Sequence, residues 1–175
     1  SYCSQIITFT FPHIGNVGLN SDDDEGSARP HINGAVFRSL ITDPSNWRSE
    51  IDLDNWLKNN SIIGIYGVDT RALTSLIREK GLINGTIVHD RNGIESFQPY
   101  LEDTKMFSGI DNQDLAKMVT CKETLSWNEE EINIYNDNTE RKKINAHVVV
   151  IDYGVKKNIL RCLSSRFEKI SIVPC

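Results

Sequence analysis

The run His147-Val148-Val149-Val150-Ile151 constrains this chain more than any other segment. Four consecutive β-branched residues favour a strand. An unbroken apolar run predicts a parallel strand covered on both faces. Asp152-Tyr153-Gly154 then turns the chain. Val155, Ile159 and Leu163 follow at i, i+4 and i+8, the core stripe of a helix, with Lys156, Lys157, Arg161 and Arg166 expected to face solvent. Ile170-Ser171-Ile172-Val173 reads as a second strand stopped by Pro174. Together these make one β-α-β unit, whose crossover should be right-handed. A single such unit cannot supply the neighbouring strands of a sheet. With a start at Ser1, this gives the expectation of a chain truncated at both ends.

The preceding residues carry more elements. Gln5 to Phe11 is β-branched and aromatic and predicts a strand ending at Pro12. Gly15, Asn16 and Gly18, followed by Asp22-Asp23-Asp24-Glu25, predict a loop with a solvated acidic stretch. His31 to Leu40 and Ile62 to Tyr66 read as strands, with a short helix over Asp52 to Asn59 between them. Asp69 or Thr70 can cap a helix carrying Leu73, Leu76 and Ile77 on one face, and Gly81 is its natural stop. Thr86-Ile87-Val88 predicts a further strand, and helical turns are expected around Ile94–Leu101 and Asp111–Met118. Residues 128–145 are rich in Asn, Asp, Glu and Lys and predict a linker.

Bulk properties exclude some classes. A net charge of -5 argues against a broad basic face for nucleic acid. No apolar run reaches the length of a membrane span. Cys3, Cys121, Cys162 and Cys175 are scattered, with no C-x-x-C pair, so neither a metal site nor a redox motif is expected. A reducing, cytoplasmic setting follows as the expectation.

Several segments together resemble one family. Phe11-Pro12-His13-Ile14-Gly15-Asn16-Val17-Gly18 is similar to the P-H-I-G-N-x-G segment of carbamoyl-phosphate synthase small chains. Asp69-Thr70-Arg71-Ala72-Leu73-Thr74, Ile77-Arg78-Glu79-Lys80-Gly81 and Asn84-Gly85-Thr86-Ile87 resemble its next segments in order. Asp114-Leu115-Ala116-Lys117 and Ser126-Trp127 recur in sequence. Asp152-Tyr153-Gly154-Val155-Lys156-Lys157-Asn158-Ile159-Leu160-Arg161 resembles the opening of the family's glutaminase domain.

The resemblance implies an α/β fold: an N-terminal swivelling-type β/α domain, then the first β-α-β unit of a flavodoxin-like class I glutaminase domain. The expected division is residues 1–127, truncated at the start, a linker at 128–145, and the beginning of a class I glutamine amidotransferase domain at 146–175. The implied activity is glutamine hydrolysis, which supplies ammonia to a large chain making carbamoyl phosphate from bicarbonate and ATP for arginine and pyrimidine synthesis. The implied partners are that large chain, in a heterodimer or higher oligomer, and L-glutamine, with neither nucleic acid nor membrane. No cofactor is expected in this chain, because ATP and Mg belong to the large chain.

Such hydrolysis needs a thiolate nucleophile, a His acting as base and acid, and a carboxylate that orients the His. The family's nucleophile lies in a G-x-C-x-G-x-Q context after a G-P-G-type loop, and neither pattern occurs here. The expectation is therefore no catalytic residue in these 175 residues. One substrate contact is implied. Ser1-Tyr2-Cys3-Ser4-Gln5-Ile6 aligns with the family's S-Y-S-R-Q-I, placing Ser1 where a serine contributes to the L-glutamine site. The match departs at Cys3 and Ser4. For Asp152, at the end of a parallel strand, turn geometry with a helix cap is favoured over ligand binding. Two other readings stand beside this one: a non-catalytic subunit-interaction module, and a flavodoxin- or receiver-like domain built on the 147–174 unit.

Overall fold

The computed structural model describes residues 2–21, 25, 30–111, 113–131 and 142–175. They form a mixed α/β structure with two three-stranded sheets in two compact units. Ser1 and much of the acidic stretch and of the linker region lie outside the described residues.

The first unit comprises Tyr2–Leu19 and His31–Gln113. Its sheet is parallel, in the order β1-β2-β3, from β1 (Ile6–Thr8), β2 (Gly34–Val36) and β3 (Ile63–Ile65). The strands lie inside the segments expected from sequence but are shorter. Between β2 and β3 runs α1 (Leu53–Asn59), started by Asp52, whose carboxylate accepts from Asn55 N–H at 2.8 Å. After β3 comes α2 (Thr70–Lys80). Asp69 caps it, accepting from Ala72 N–H at 3.1 Å, and Gly81 ends it. Each cap satisfies a helix amide that has no partner within the helix. Buried Ala35, Phe37, Leu57 and Ile62 form the core, with Phe9, Trp56 and other half-buried apolar residues against it. Phe9 and Phe37 stack in a tilted pair at 5.2 Å.

The expected strand at Thr86-Ile87-Val88 is absent: no ladder forms there. Side chains hold the segment instead. Asn84 Nδ2 donates to Phe107 O at 2.6 Å, and the hydroxyls of Thr86 and Thr104 bond to each other. Both partners belong to or follow α3 (Gln98–Met106), which fulfils the helical turn expected near Ile94–Leu101.

The second unit comprises Asp114–Cys175 and the described residues of Asn20–Pro30. It thus begins earlier in the sequence than the segment at 128–145. After α4 (Leu115–Val119) comes β4 (Leu125–Trp127), a strand not expected from sequence. It pairs antiparallel with β6 (Phe167–Pro174). On the other side of β6 runs β5 (Ile144–Asp152), parallel as expected, giving the order β4-β6-β5. The crossover from β5 to β6 is α5 (Lys157–Ser164).

Three expectations for this unit are corrected. Leu160, not Ile159, is the buried apolar residue of α5, at 2% exposure against 51%. The helix starts at Lys157, so Val155 sits in the turn before it and does not set the phase of the stripe. Leu160 packs with Ile170 and Ile172, and Val148, Val150 and Leu163 join them. Arg161 is buried rather than solvent-facing, with its guanidinium 3.5 Å from Glu129 Oε2. The face of β5 bearing Val149 and Ile151 is more than half exposed in each residue, so the apolar run is covered on one face only. Among the described residues no helix is long and apolar enough to cross a membrane.

Candidate functional site

The segment Pro12 to Gly18 folds as a loop pinned to residues 42–49 of the same unit. Ile14 O accepts from both Thr42 N–H, at 2.9 Å, and Thr42 Oγ1, at 3.1 Å. Asn16 O accepts from Ser45 N–H at 2.9 Å. Gly15 has φ +101°, and a Cβ there would lie 2.5 Å from Thr42 O. Only glycine combines that backbone with that approach. His13 is exposed, its ring edge-on to Phe11 at 6.4 Å. The loop's recognisable residues thus do backbone work.

The Asp69-Thr70-Arg71 segment is likewise a helix start. Asp69 caps α2 and also accepts from Arg38 at 3.3 Å. Thr70 is fully buried, and Arg71 and Arg78 are exposed. Near β3 lies a groove of about 800 Å³, lined by Leu40, Ile65, Tyr66, Ile87 and others. Two of its three carboxylates are engaged at α1: Asp52 caps the helix, and Asp54 pairs with Lys58. Leu40, Ile65, Tyr66 and Ile87 give the groove an apolar wall.

The second unit holds the residue at a strand end singled out from sequence, Asp152. It is 7% exposed. Its Oδ1 accepts from Gly154 N–H at 2.9 Å and Val155 N–H at 3.0 Å, and Oδ2 from Cys121 N–H at 2.7 Å. The turn geometry is as expected, but the helix cap is not: α5 begins after Lys156, beyond the amides Asp152 holds. The amide of Cys121 is a partner that the sequence did not signal.

Burial disfavours the charged form of Asp152, but the three amides outweigh it and hold its carboxyl below the usual value of 3.8. The sign is that of a depressed acid. The group contributes stability above its unfolded pKa, and that contribution is lost as pH falls through the lower folded value.

Two of the thiols, Cys121 and Cys162, are poorly suited to attack. Burial, then the charge of Asp152, pushes Cys121 up. The hydrogen bond to Glu131 at 2.8 Å, then burial, pushes Cys162 up. A higher pKa means less thiolate, the reactive form. His147 Nε2 lies 2.9 Å from Ser171 Oγ. Ser1, the expected glutamine contact, lies outside the described residues.

Comparisons with known proteins place these segments. Residues 1–87 match the family model described as carbamoyl-phosphate synthase small chain, CPSase domain. The carbamoyl phosphate synthase small chain of Bartonella quintana is 48% identical over 99% of this chain and 44% of its own length. That of Brucella anthropi is 46% identical, with the same coverage. That of Bradyrhizobium diazoefficiens is 45% identical over 99% of this chain and 45% of its own length. The chain thus spans less than half the length of these relatives. The similarity runs through both units, and on it the chain belongs to the carbamoyl-phosphate synthase small-chain family.

Proposed function

We propose that this chain is part of the glutamine-hydrolysing small subunit of carbamoyl-phosphate synthase, which releases ammonia from L-glutamine for a large-chain partner. The observation that carries the reading is identity of 45–48% sustained over 99% of the chain. The large chain uses ATP, Mg and bicarbonate to form carbamoyl phosphate, in the cytoplasm, in a heterodimer or higher assembly. The first unit belongs to a swivelling-type β/α domain. The β5-α5-β6 unit opens a flavodoxin-like class I glutaminase domain after a linker at 128–145. Ser1 contributes a hydroxyl to the glutamine site, and no cofactor binds these residues.

Residues 1–175 act in this reading as a scaffold and subunit-contact module, without the nucleophile. Two observations favour that: no cysteine lies in a glycine-flanked context, and the Cys121 and Cys162 thiols are pushed up. The test is ammonia release from glutamine by the polypeptide of residues 1–175. No release above the buffer rate is expected. Release abolished by a thiol-alkylating reagent would overturn the assignment of a non-catalytic role to these residues.

A further inference from the structure

Three consecutive residues of the second unit touch the carboxyl ends of both long strands. β5 and β6 finish side by side, with Asp152 opposite Pro174. Asp152 Oδ2 accepts from Cys121 N–H at 2.7 Å. From the neighbouring strand end, Cys175 N–H donates to Thr120 Oγ1 at 3.1 Å. Gly154 has φ +88°, and a Cβ there would lie 3.0 Å from Val119 Cγ2, so the turn after β5 backs closely onto Val119. Residues 119–121, the last residue of α4 and the two that follow it, therefore form a crossbar over the two strand ends. Cys121 also packs into the apolar cluster beneath it. One carboxylate ties crossbar and turn together, because its two oxygens take one amide from the first and two from the second.

We propose that Asp152 is a positioning residue for substrate binding at the carboxyl ends of β5 and β6, holding the crossbar 119–121 and the turn 153–155 in one geometry. The inference rests on the function proposed above, in that it takes the substrate to be glutamine. Open α/β sheets bind ligands outside the carboxyl ends of their parallel strands, so the turns and crossing segments there form the walls of such a site. Hydrogen bonds from amides to an ionised carboxylate are about twice as strong as neutral ones, and burial strengthens them further. An asparagine at this position keeps the volume but replaces one acceptor oxygen with a donor. That NH2 must face either Cys121 N–H or the amides of Gly154 and Val155. In either orientation one wall is released. A released wall loses about one hydrogen bond to a charged group of the substrate, worth roughly 10- to 100-fold in affinity. Asp152 holds no reacting atom, so its loss removes binding common to ground and transition states and raises KM with kcat little changed.

The test uses the small chain carrying these residues, assembled with its large chain, as wild type, Asp152→Asn and Thr120→Val. Steady-state glutamine hydrolysis is measured, with ammonia-dependent carbamoyl phosphate synthesis as the control for assembly. Asp152→Asn is expected to raise the KM for glutamine by about 10- to 100-fold with kcat within about threefold. Thr120→Val, which cuts the other tie to the crossbar, should shift KM in the same direction by less. An unchanged KM in assembled Asp152→Asn overturns the proposal. So does a loss confined to kcat in proportion to unfolded protein, the signature of a purely structural tie. If Asp152→Asn does not fold, Thr120→Val decides: a raised KM supports the proposal and an unchanged one overturns it. Wild-type complex that uses ammonia but not glutamine is a separate result. It overturns the proposed function, and with it the substrate named here.

Discussion

Replacing Phe37 by alanine is expected to destabilise the first unit by about 3–5 kcal/mol, the range for truncating a buried aromatic side chain. Phe37 is 2% exposed, stacks on Phe9, and sits in the cluster with Ala35, Leu57 and Ile62. Its backbone N–H also donates to Ile65 O at 2.8 Å, so the residue leaves β2 still bonded to β3. Collapse of the cavity is restricted by that bond, which argues for the upper part of the range. Urea denaturation measures the effect. Trp56 packs against this cluster and reports on it, in a Trp47→Phe, Trp127→Phe background. A shift under about 1 kcal/mol would contradict the placement of Phe37 in a close-packed core.

The second large effect belongs to the other unit. Leu160→Ala removes the buried side chain through which α5 meets β6, at a cost of about 2–5 kcal/mol. Trp127 joins the same cluster, so its fluorescence in a Trp47→Phe, Trp56→Phe background follows this unit alone. Ile159→Ala is the matched control. Ile159 is 51% exposed, and its truncation should cost less than about 1 kcal/mol. Equal effects at the two positions would restore the helix phase read from Val155, Ile159 and Leu163.

That phase shows where sequence suffices and where it does not. Local chemistry was legible. Asp52, Asp69 and Gly81 sit at helix ends because capping depends on residues within one turn. The parallel pairing of β5 and β6 followed from an apolar run, a helix and a second run. Other features depend on residues distant in sequence. β4 is three residues long, too short to show alternation, and exists because β6 offers an edge. Arg161 is buried and pairs with Glu129, a pairing that no spacing announces. Ile87 and Val88 have strand-forming side chains, but Asn84 and Thr86 bind them to the end of α3 instead of to a ladder.

The site divides in the same way. The Gly15 turn was legible because a glycine there marks backbone geometry, and contact with Thr42 O explains it. Asp152 was legible as a turn residue from Gly154 two positions on. Its bond to Cys121, thirty-one residues away, was not. The expectation that residues 1–175 hold no nucleophile rests on the same kind of local reading, since no cysteine here lies in a G-x-C-x-G context.

Carbamoyl phosphate synthesis from labelled bicarbonate and ATP, by the large chain with and without the small chain carrying these residues, bears on the proposed function most directly. With glutamine as nitrogen donor, synthesis should require the small chain. With ammonium chloride, it should proceed without it. Glutamine-dependent synthesis that is the same whether or not the small chain is present would contradict the proposed role.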